Sequence, residues 1–119
     1  MKNTYKVGSS DLRPWGKWRV TDVGAGFCVK QIEVNPGGIL SLQRHKHRNE
    51  HWIVVSGAGV VTLDNQQIPL GENKRMYIRK GHWHRIENRG SVPLIFIEIQ
   101  TGDILDENDI ERKEDKYGR

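Results

Sequence analysis

The stretch "GGILSLQRHKHRNEHWIVVSG", residues 37–57, decides the fold. It places three of the five histidines of the chain within seven positions, between two apolar runs. The alternation of apolar and polar residues in "HWIVVSG" is typical of a half-buried β-strand. Imidazole and carboxylate side chains, which bind metal ions, therefore lie beside a strand. The stretch is either a solvated turn between two strands or a metal site in the mouth of a barrel.

The composition predicts one small all-β domain. The chain has 119 residues, of which 35% are hydrophobic, with 13 glycines and four prolines. Together with "HWIVVSG", about nine segments alternate between turn residues, and no credible helix separates them. This pattern predicts an antiparallel barrel or sandwich. The other segments are "KWRVTD" (17–22), "FCVKQIEV" (27–34), "GILSLQ" (38–43), "GVVTL" (59–63), "QQIPL" (66–70), "RMYIR" (75–79), "HRIEN" (84–88) and "PLIFIEIQ" (93–100).

Both ends of the chain are more polar than its middle. Residues 1–12 are predicted to be a flexible N-terminal segment, and residues 13–102 form the barrel. The highly charged residues 103–119 are predicted to form a strap or a short helix that packs on the barrel. A hairpin turn is predicted at Asp64 and Asn65, between two of the strand-like segments.

The charge and the cysteine content exclude several classes of protein. The net charge of +4 comes without a basic helix or a compact Lys/Arg run, so we expect no nucleic-acid partner. No apolar run is long enough to cross a membrane, and "MKNTYKVGSS" has no apolar signal core, so we expect a cytoplasmic protein without a membrane partner. Cys28 is the single cysteine, which excludes an internal disulfide and predicts a small buried apolar residue.

The opening stretch resembles the first signature of the cupin superfamily. That signature is a glycine, a pair of histidines two positions apart, a glutamate and a second glycine. From Gly37, its spacing selects Gln43, His45, Glu50 and Gly57, with Gln43 in the place of the first histidine. The position of both glycines favours this register over the alternative discussed below.

A second signature of the same superfamily matches "GHWHRIEN". Its glycine, histidine and asparagine correspond to Gly81, His84 and Asn88. The two signatures together imply a cupin double-stranded β-helix, a jelly-roll barrel, with a short charged C-terminal tail.

The spacing of these residues predicts a metal site. Residues two apart on a strand share a face, so Gln43 and His45 both point into the barrel. A turn brings Glu50 to them, and a later strand brings His84. The set suits one divalent metal ion, with Zn as first choice and Mn, Co, Ni or Fe as alternatives. In a rival register, His45 and His47 form the pair, with His51 or Glu50 as third ligand.

Longer blocks resemble one family within the cupins. The resemblance is to the isomerase domain of type II mannose-6-phosphate isomerases, which often follows a mannose-1-phosphate guanylyltransferase domain in polysaccharide and nucleotide-sugar biosynthesis. It implies interconversion of mannose 6-phosphate and fructose 6-phosphate. The guanylyltransferase half is absent, so we expect no GDP-mannose-forming activity. The blocks are "RPWG" (13–16), "LSLQRHKHRNEHWIVVSG" (40–57), "HRIEN" (84–88), "PLIFIEIQTG" (93–102) and "DENDIERKEDKYGR" (106–119).

Such an isomerisation needs a base, and two residues are candidates. Glu98 is a carboxylate within the apolar segment "PLIFIEIQ", where burial would raise its pKa and suit it to proton transfer. The alternative for Glu98 is an ion pair with Lys30. His51, predicted at the barrel mouth beside the ligands, is the second candidate base. The metal would act as a Lewis acid.

A sugar phosphate also needs a phosphate clamp, for which guanidinium groups are suited. The candidates are Arg48, Arg85, Arg112 and Arg119. The family resemblance favours Arg48, Arg112 and Arg119, and a docked tail would carry the last two over the site as a lid. The alternative for so charged a tail is a solvated face.

Two other functions stay open at this point. One is a non-catalytic cupin module that binds a sugar or a sugar phosphate. The other, a cupin dioxygenase, is disfavoured because Gln43 is a weak neutral ligand. We also expect a homodimer, formed through an N-terminal strand that contains Trp15 and Trp18.

Overall fold

The computed structural model describes residues 1–118, which contain thirteen β-strands and no helix. No helix of the described chain could therefore span a lipid bilayer. In chain order the strands are β1 (Lys2–Asn3), β2 (Ser10–Arg13), β3 (Gly16–Gly24), β4 (Phe27–Val34), β5 (Leu42–Arg44), β6 (Asn49–Ser56), β7 (Gly59–Leu63), β8 (Gln66–Leu70), β9 (Arg75–Ile78), β10 (His84–Glu87), β11 (Leu94–Thr101), β12 (Ile104–Leu105) and β13 (Glu111–Glu114).

The strands form two antiparallel sheets and one short parallel pair. The six-stranded sheet has the order β2-β3-β4-β11-β6-β9, and the five-stranded sheet has the order β13-β5-β10-β7-β8. Each of the nine predicted segments contains a strand, and the predicted turn at Asp64 and Asn65 joins β7 to β8. The predicted barrel of antiparallel strands is confirmed.

The core lies between the inner faces of the two sheets. Alternate residues along β4, β6 and β11 are buried, because successive side chains of a strand point to opposite faces. The main cluster comprises Trp15, Ile32, Val34, Leu40, Trp52, Val54, Val61, Leu70, Ile78, Ile86, Leu94 and Phe96.

A smaller cluster at one end of the barrel contains Cys28, which is fully buried with Val20 and Leu105. Burial raises the pKa of the Cys28 thiol to about 12. Cys28 therefore packs as a small apolar residue and stays protonated at neutral pH.

Residues 1–12, predicted to be flexible, contain two strands in the structure. β1 pairs in parallel with β12, and β2 pairs with β3. The reason is hydrogen bonding to residues far along the chain, which the polar sequence does not reveal. The side-chain nitrogen of Asn3, Nδ2, donates to the carbonyl oxygens of Gly24 and Phe27, each at 3.0 Å.

Residues 103–118, called the strap below, cross one end of the barrel. Within the strap, β12 pairs with β1 and β13 pairs with β5. The described part of the strap contains no helix. It thus ties the N-terminal segment to the five-stranded sheet.

Gly57, the second glycine of the first signature, has a structural role. Its φ of 79° lies in the left-handed region, and a Cβ there would be 2.5 Å from the carbonyl oxygen of Pro93. Glycine alone fits between β6 and the chain that enters β11.

Candidate metal and proton-transfer site

Three buried side chains from different parts of the chain meet inside the barrel. Glu50 points inward from β6, His84 begins β10, and His45 follows the end of β5. One ligand atom from each of the three lies within 4.8 Å of the other two. The structure thus brings together three of the four residues that the sequence predicts as metal ligands.

Hydrogen bonds fix which nitrogen of each imidazole faces the centre. The Nδ1 of His45 lies 2.6 Å from the carbonyl oxygen of Asp109, and the Nδ1 of His84 lies 2.9 Å from that of His82. In a neutral imidazole whose Nδ1–H donates to a carbonyl oxygen, Nε2 keeps its lone pair. Both Nε2 atoms face Glu50, at 3.1 Å for His45 and 3.6 Å for His84.

This arrangement fits a metal cation. The Nε2 of His84 is buried, and no hydrogen-bond partner for it exists among the described residues. Burial lowers the pKa of His84 to about 4, so its imidazole is neutral at pH 7. Burial also favours protonated Glu50, but His45 and Arg48 outweigh it and hold the pKa of Glu50 well below its usual value. A neutral imidazole, as in His84, and an ionised carboxylate, as in Glu50, are protonation states that metal ions bind.

Gln43, the fourth predicted ligand, lies on the neighbouring strand. It is directly opposite His84 in the register of β5 and β10, and the two side chains therefore share the inner face. Its amide nitrogen donates to the carbonyl and hydroxyl oxygens of Ser41. The amide oxygen of Gln43 would remain to bind the metal.

The rival register is not what the structure forms. His47 is exposed, and its backbone N–H donates to Asp109. His51 follows inward-facing Glu50 on β6, so it points to the outer face, where its ring stacks 4.5 Å from Tyr77. The prediction that His51 lies at the barrel mouth is wrong, because strand alternation turns it away from the ligands.

Glu98 is the buried carboxyl group beside the three ligands. It accepts hydrogen bonds from Trp52 Nε1 at 3.2 Å and from Gln100 Nε2 at 2.8 Å, and the same Trp52 nitrogen donates to Glu50 at 3.0 Å. Burial, and then the charge of Glu50, raise the pKa of Glu98 to about 7. The alternative partner, Lys30, forms its ion pair with Glu107 instead.

Arg48 is buried next to the ligands. Its Nε donates to Glu50 at 2.9 Å, and its Nη2 lies 3.4 Å from His45 Nε2. Nη1 donates to the hydroxyl of Tyr5 and to the carbonyl oxygen of Asp106. A fixed positive charge therefore lies at the edge of the site.

The other predicted arginines have different positions. Arg112, on β13, lines a small cavity together with Glu98 and Arg48. Arg85 follows inward-facing His84, so it points outward, and its guanidinium holds Glu114 of the strap. The structure does not bring Arg85 to the cavity. Arg119 lies outside the described residues.

Sequence reasoning missed Asp109, which joins the strap to the site, and the inward direction of Lys30. Asp109 contacts His45 through its carbonyl, and its carboxylate accepts from the backbone of residues 46 and 47. Lys30 is buried on the inner face of β4. Alternation with Cys28 and Ile32 in "FCVKQIEV" was the available signal for the inward direction of Lys30.

Comparison with known sequences agrees with this geometry. Residues 1–115 match the family described as Mannose-6-phosphate isomerase C-terminal. The alginate biosynthesis protein AlgA of Pseudomonas aeruginosa is 53% identical over 107 residues, which cover 90% of this chain and 22% of that protein. Mannose-1-phosphate guanylyltransferase of Escherichia coli K12 is 45% identical over 118 residues, covering 99% of this chain and 25% of that protein. The chain thus spans about a quarter of the length of these curated relatives.

Solved structures give the fold independently. Bacillus subtilis oxalate decarboxylase aligns with a TM-score of 0.80 at 20% identity, covering 89% of this chain and 30% of that chain. A Klebsiella pneumoniae protein with a double-stranded β-helix domain aligns with a TM-score of 0.72 at 20% identity, covering 82% and 78%. The fold is therefore the double-stranded β-helix of the cupins. By its sequence match, the chain belongs to the family of mannose-6-phosphate isomerase C-terminal domains.

Proposed function

We propose that this protein is a metal-dependent aldose–ketose isomerase that interconverts mannose 6-phosphate and fructose 6-phosphate. The observation that carries the proposal is the convergence of two imidazole Nε2 atoms and the Glu50 carboxylate beside the buried Glu98. His45, Glu50 and His84 would hold one divalent ion, with Gln43 as fourth ligand and Zn as first choice. When bound, such an ion polarises carbonyl and hydroxyl oxygens.

Glu98 is the proposed base. The reaction moves a proton between C1 and C2 of the sugar, so one group must accept that proton and return it. A pKa of about 7 lets the Glu98 carboxyl do both near neutral pH. Hydrogen bonds from Trp52 and Gln100 fix the orientation of its two oxygens.

Two arginines have proposed roles in binding. Arg48, beside Glu50, supplies a fixed positive charge where the substrate oxygens become more negative during proton transfer. Arg112 lines the cavity from the strap and would bind the phosphate. Arg119 stays a proposed phosphate ligand outside the described residues.

A coupled assay tests the activity directly. Purified protein loaded with Zn, Mn, Co, Ni or Fe is given mannose 6-phosphate, and formation of fructose 6-phosphate is followed. We expect turnover that a chelator abolishes and that the same metal restores. Tight binding of mannose 6-phosphate without turnover under any metal would instead identify a non-catalytic sugar-phosphate-binding module.

We also propose a homodimer. β2 ends the order of the six-stranded sheet, so one of its edges has no neighbouring strand among residues 1–118, and Leu12 on this strand is 81% exposed. Sedimentation velocity should give twice the 13.7 kDa mass of the chain. A mass of 13.7 kDa at micromolar concentration would contradict this proposal.

A further inference from the structure

A small cavity lies between the six-stranded sheet and the strap. Its volume is about 60 Å³, well below the roughly 300–1,000 Å³ of small-molecule sites. A hexose phosphate does not fit while the strap lies where it does. The cavity is nevertheless suited to an anion, because more cations than carboxylates line it. The charged lining residues are Arg13, Lys30, Arg48, Arg112, Glu98 and Glu107.

Lys30 is the most unusual of these cations. Its side chain is 4% exposed, and its ammonium lies 4.1 Å from the centre of the Trp18 ring and 4.9 Å from that of Tyr5. Its Nζ donates to Glu107 at 2.7 Å. A buried ammonium is costly unless an anion pairs with it, so Lys30 requires a negative partner in this position.

That partner comes from the strap, which distinguishes Lys30 from Arg48. Arg48 pairs with Glu50, which belongs to the barrel itself. Glu107 lies between β12 and β13, and its side chain is 45% exposed. Moving the strap would therefore withdraw the anion from Lys30 and leave the ion pair of Arg48 intact.

The position of Lys30 relative to the metal ligands suits a hexose phosphate. Lys30 on β4 is opposite Glu98 on β11, and Glu98 is opposite Trp52 on β6, the strand that carries Glu50. Two strand spacings, about 10 Å, separate the backbone of Lys30 from β6. A sugar with C1 and C2 beside Glu98 and the ligands would extend its C6 phosphate away from them, along the sheet.

We propose that Lys30 receives the phosphate of the sugar phosphate, and that the Glu107 carboxylate occupies this position until the substrate displaces it. Carboxylate and phosphate are both oxyanions that the same cationic donors recognise. Displacement of Glu107 removes one of the contacts that hold the strap and vacates part of the cavity at the same time. The identity of the anion as a substrate phosphate rests on the isomerase function proposed above.

Opposite effects of two substitutions test this exchange. Binding of inorganic phosphate and of mannose 6-phosphate to the metal-loaded chain is measured by calorimetry. Lys30→Met should weaken both by about tenfold or more, because the phosphate loses its cation. Glu107→Gln should tighten both several-fold, because the competing anion is gone. A merely structural ion pair would make both variants weaker.

Matched controls accompany the two variants. Lys17→Met removes a lysine from an exposed ion pair with Glu33 and should change neither affinity. Lys30→Arg keeps the charge and should retain binding. If Lys30→Met does not fold, Glu107→Gln, which should tighten binding, carries the test by itself. The proposal is overturned if Glu107→Gln weakens phosphate binding or leaves it unchanged, or if no variant binds phosphate.

The same measurements separate this inference from the proposed function. Phosphate affinity that responds to Lys30 and Glu107 in a chain without turnover would retain the anion site and reject the isomerase. Turnover together with phosphate affinities that do not change on substitution of Lys30 or Glu107 would retain the isomerase and reject the anion site.

Discussion

His84 has a buried Nε2 lone pair that no group of the described chain satisfies. If this lone pair binds the metal, His84→Ala removes one of three strong ligands and leaves Gln43 as a weak fourth. We expect the variant to lose the metal during gel filtration and to lose turnover with it. Metal content by mass spectrometry and the coupled assay give the two readouts.

His51 provides the matched control for that variant. It is also a histidine of the opening stretch, but it lies on the outer face of β6 against Tyr77. His51→Ala should keep both metal and turnover. Retention of metal by the His84 variant, or loss of it in the His51 variant, would show that the ligands have been assigned wrongly.

Glu98→Gln tests whether Glu98 is the base, because glutamine has nearly the same size as glutamate but cannot take up the proton. Proton transfer by a side chain contributes about 100-fold or more to a rate, so kcat should fall by at least this factor while the metal stays bound. A base must be deprotonated to act, and the pKa of Glu98 is about 7. In the unmodified protein, kcat/KM should therefore rise as the pH increases through 7, and Glu98→Gln should lack this rise.

A stability measurement on the metal-free protein provides a second readout for Glu98. Its pKa of about 7 in the fold exceeds the ordinary 4.5, so the fold favours the protonated form. The contribution of Glu98 to stability is then complete below pH 4.5 and is lost as the pH rises to 7. Urea titrations should show this decline, and Glu98→Gln should flatten it. An unchanged slope would assign the raised pKa to another group.

Spacing alone predicts which three side chains converge inside the barrel, but only in part which way a side chain points. His45, Glu50 and His84 follow from the two signatures. The outward direction of His51 requires the phase of alternation in β6, and a histidine next to a buried glutamate can be misassigned by one position. The ion pair of Lys30 with Glu107 joins residues 77 positions apart, a separation that no local pattern encodes.

At the scale of elements, the strap is the part that brings cavity-lining groups from outside the barrel. Arg112 on β13 lines the cavity. Loss of its guanidinium group should weaken phosphate binding while the two sheets stay folded. Arg112→Ala should raise KM for mannose 6-phosphate about tenfold or more, with kcat little changed. Steady-state kinetics and the melting temperature are the measurements.

Arg89→Ala is the matched control for Arg112. Arg89 is exposed and forms an ion pair with Glu87. It should leave KM unchanged. Unfolding of the Arg112 variant at room temperature would make that arginine structural.

The strands were predictable where the sequence alternates between apolar and polar residues. All nine segments with alternating apolar residues contain strands, because a barrel buries one face of each. The four additional strands, β1, β2, β12 and β13, have two to four residues each and mostly exposed side chains. Their pairing depends on tertiary neighbours such as the Asn3 amide, which a polar sequence does not reveal.

For the whole molecule, the proposed metal site would link metal binding to folding. The three ligands come from β6, from β10 and from the chain after β5, so they converge only in the folded barrel. A ligand that binds only the folded state stabilises it by about 2.7 kcal/mol at a hundredfold excess over Kd. Zn should therefore raise the melting temperature by an amount of the order of 10 °C.

The His84→Ala variant checks the origin of this stabilisation. Its melting temperature should not respond to Zn, whereas that of His51→Ala should respond as the unmodified protein does. An equal response of all three proteins would place the stabilising ion elsewhere on the surface.

The burial of Cys28 makes this residue a reporter of the opening of the barrel. Thiol reagents need both access and a thiolate, and the closed barrel denies them both. Alkylation of Cys28 therefore requires a transient local opening of the barrel near Val20 and Leu105. The chain has a single cysteine, so each molecule is labelled at most once. At a saturating concentration of reagent, the labelling rate approaches the rate at which the barrel opens.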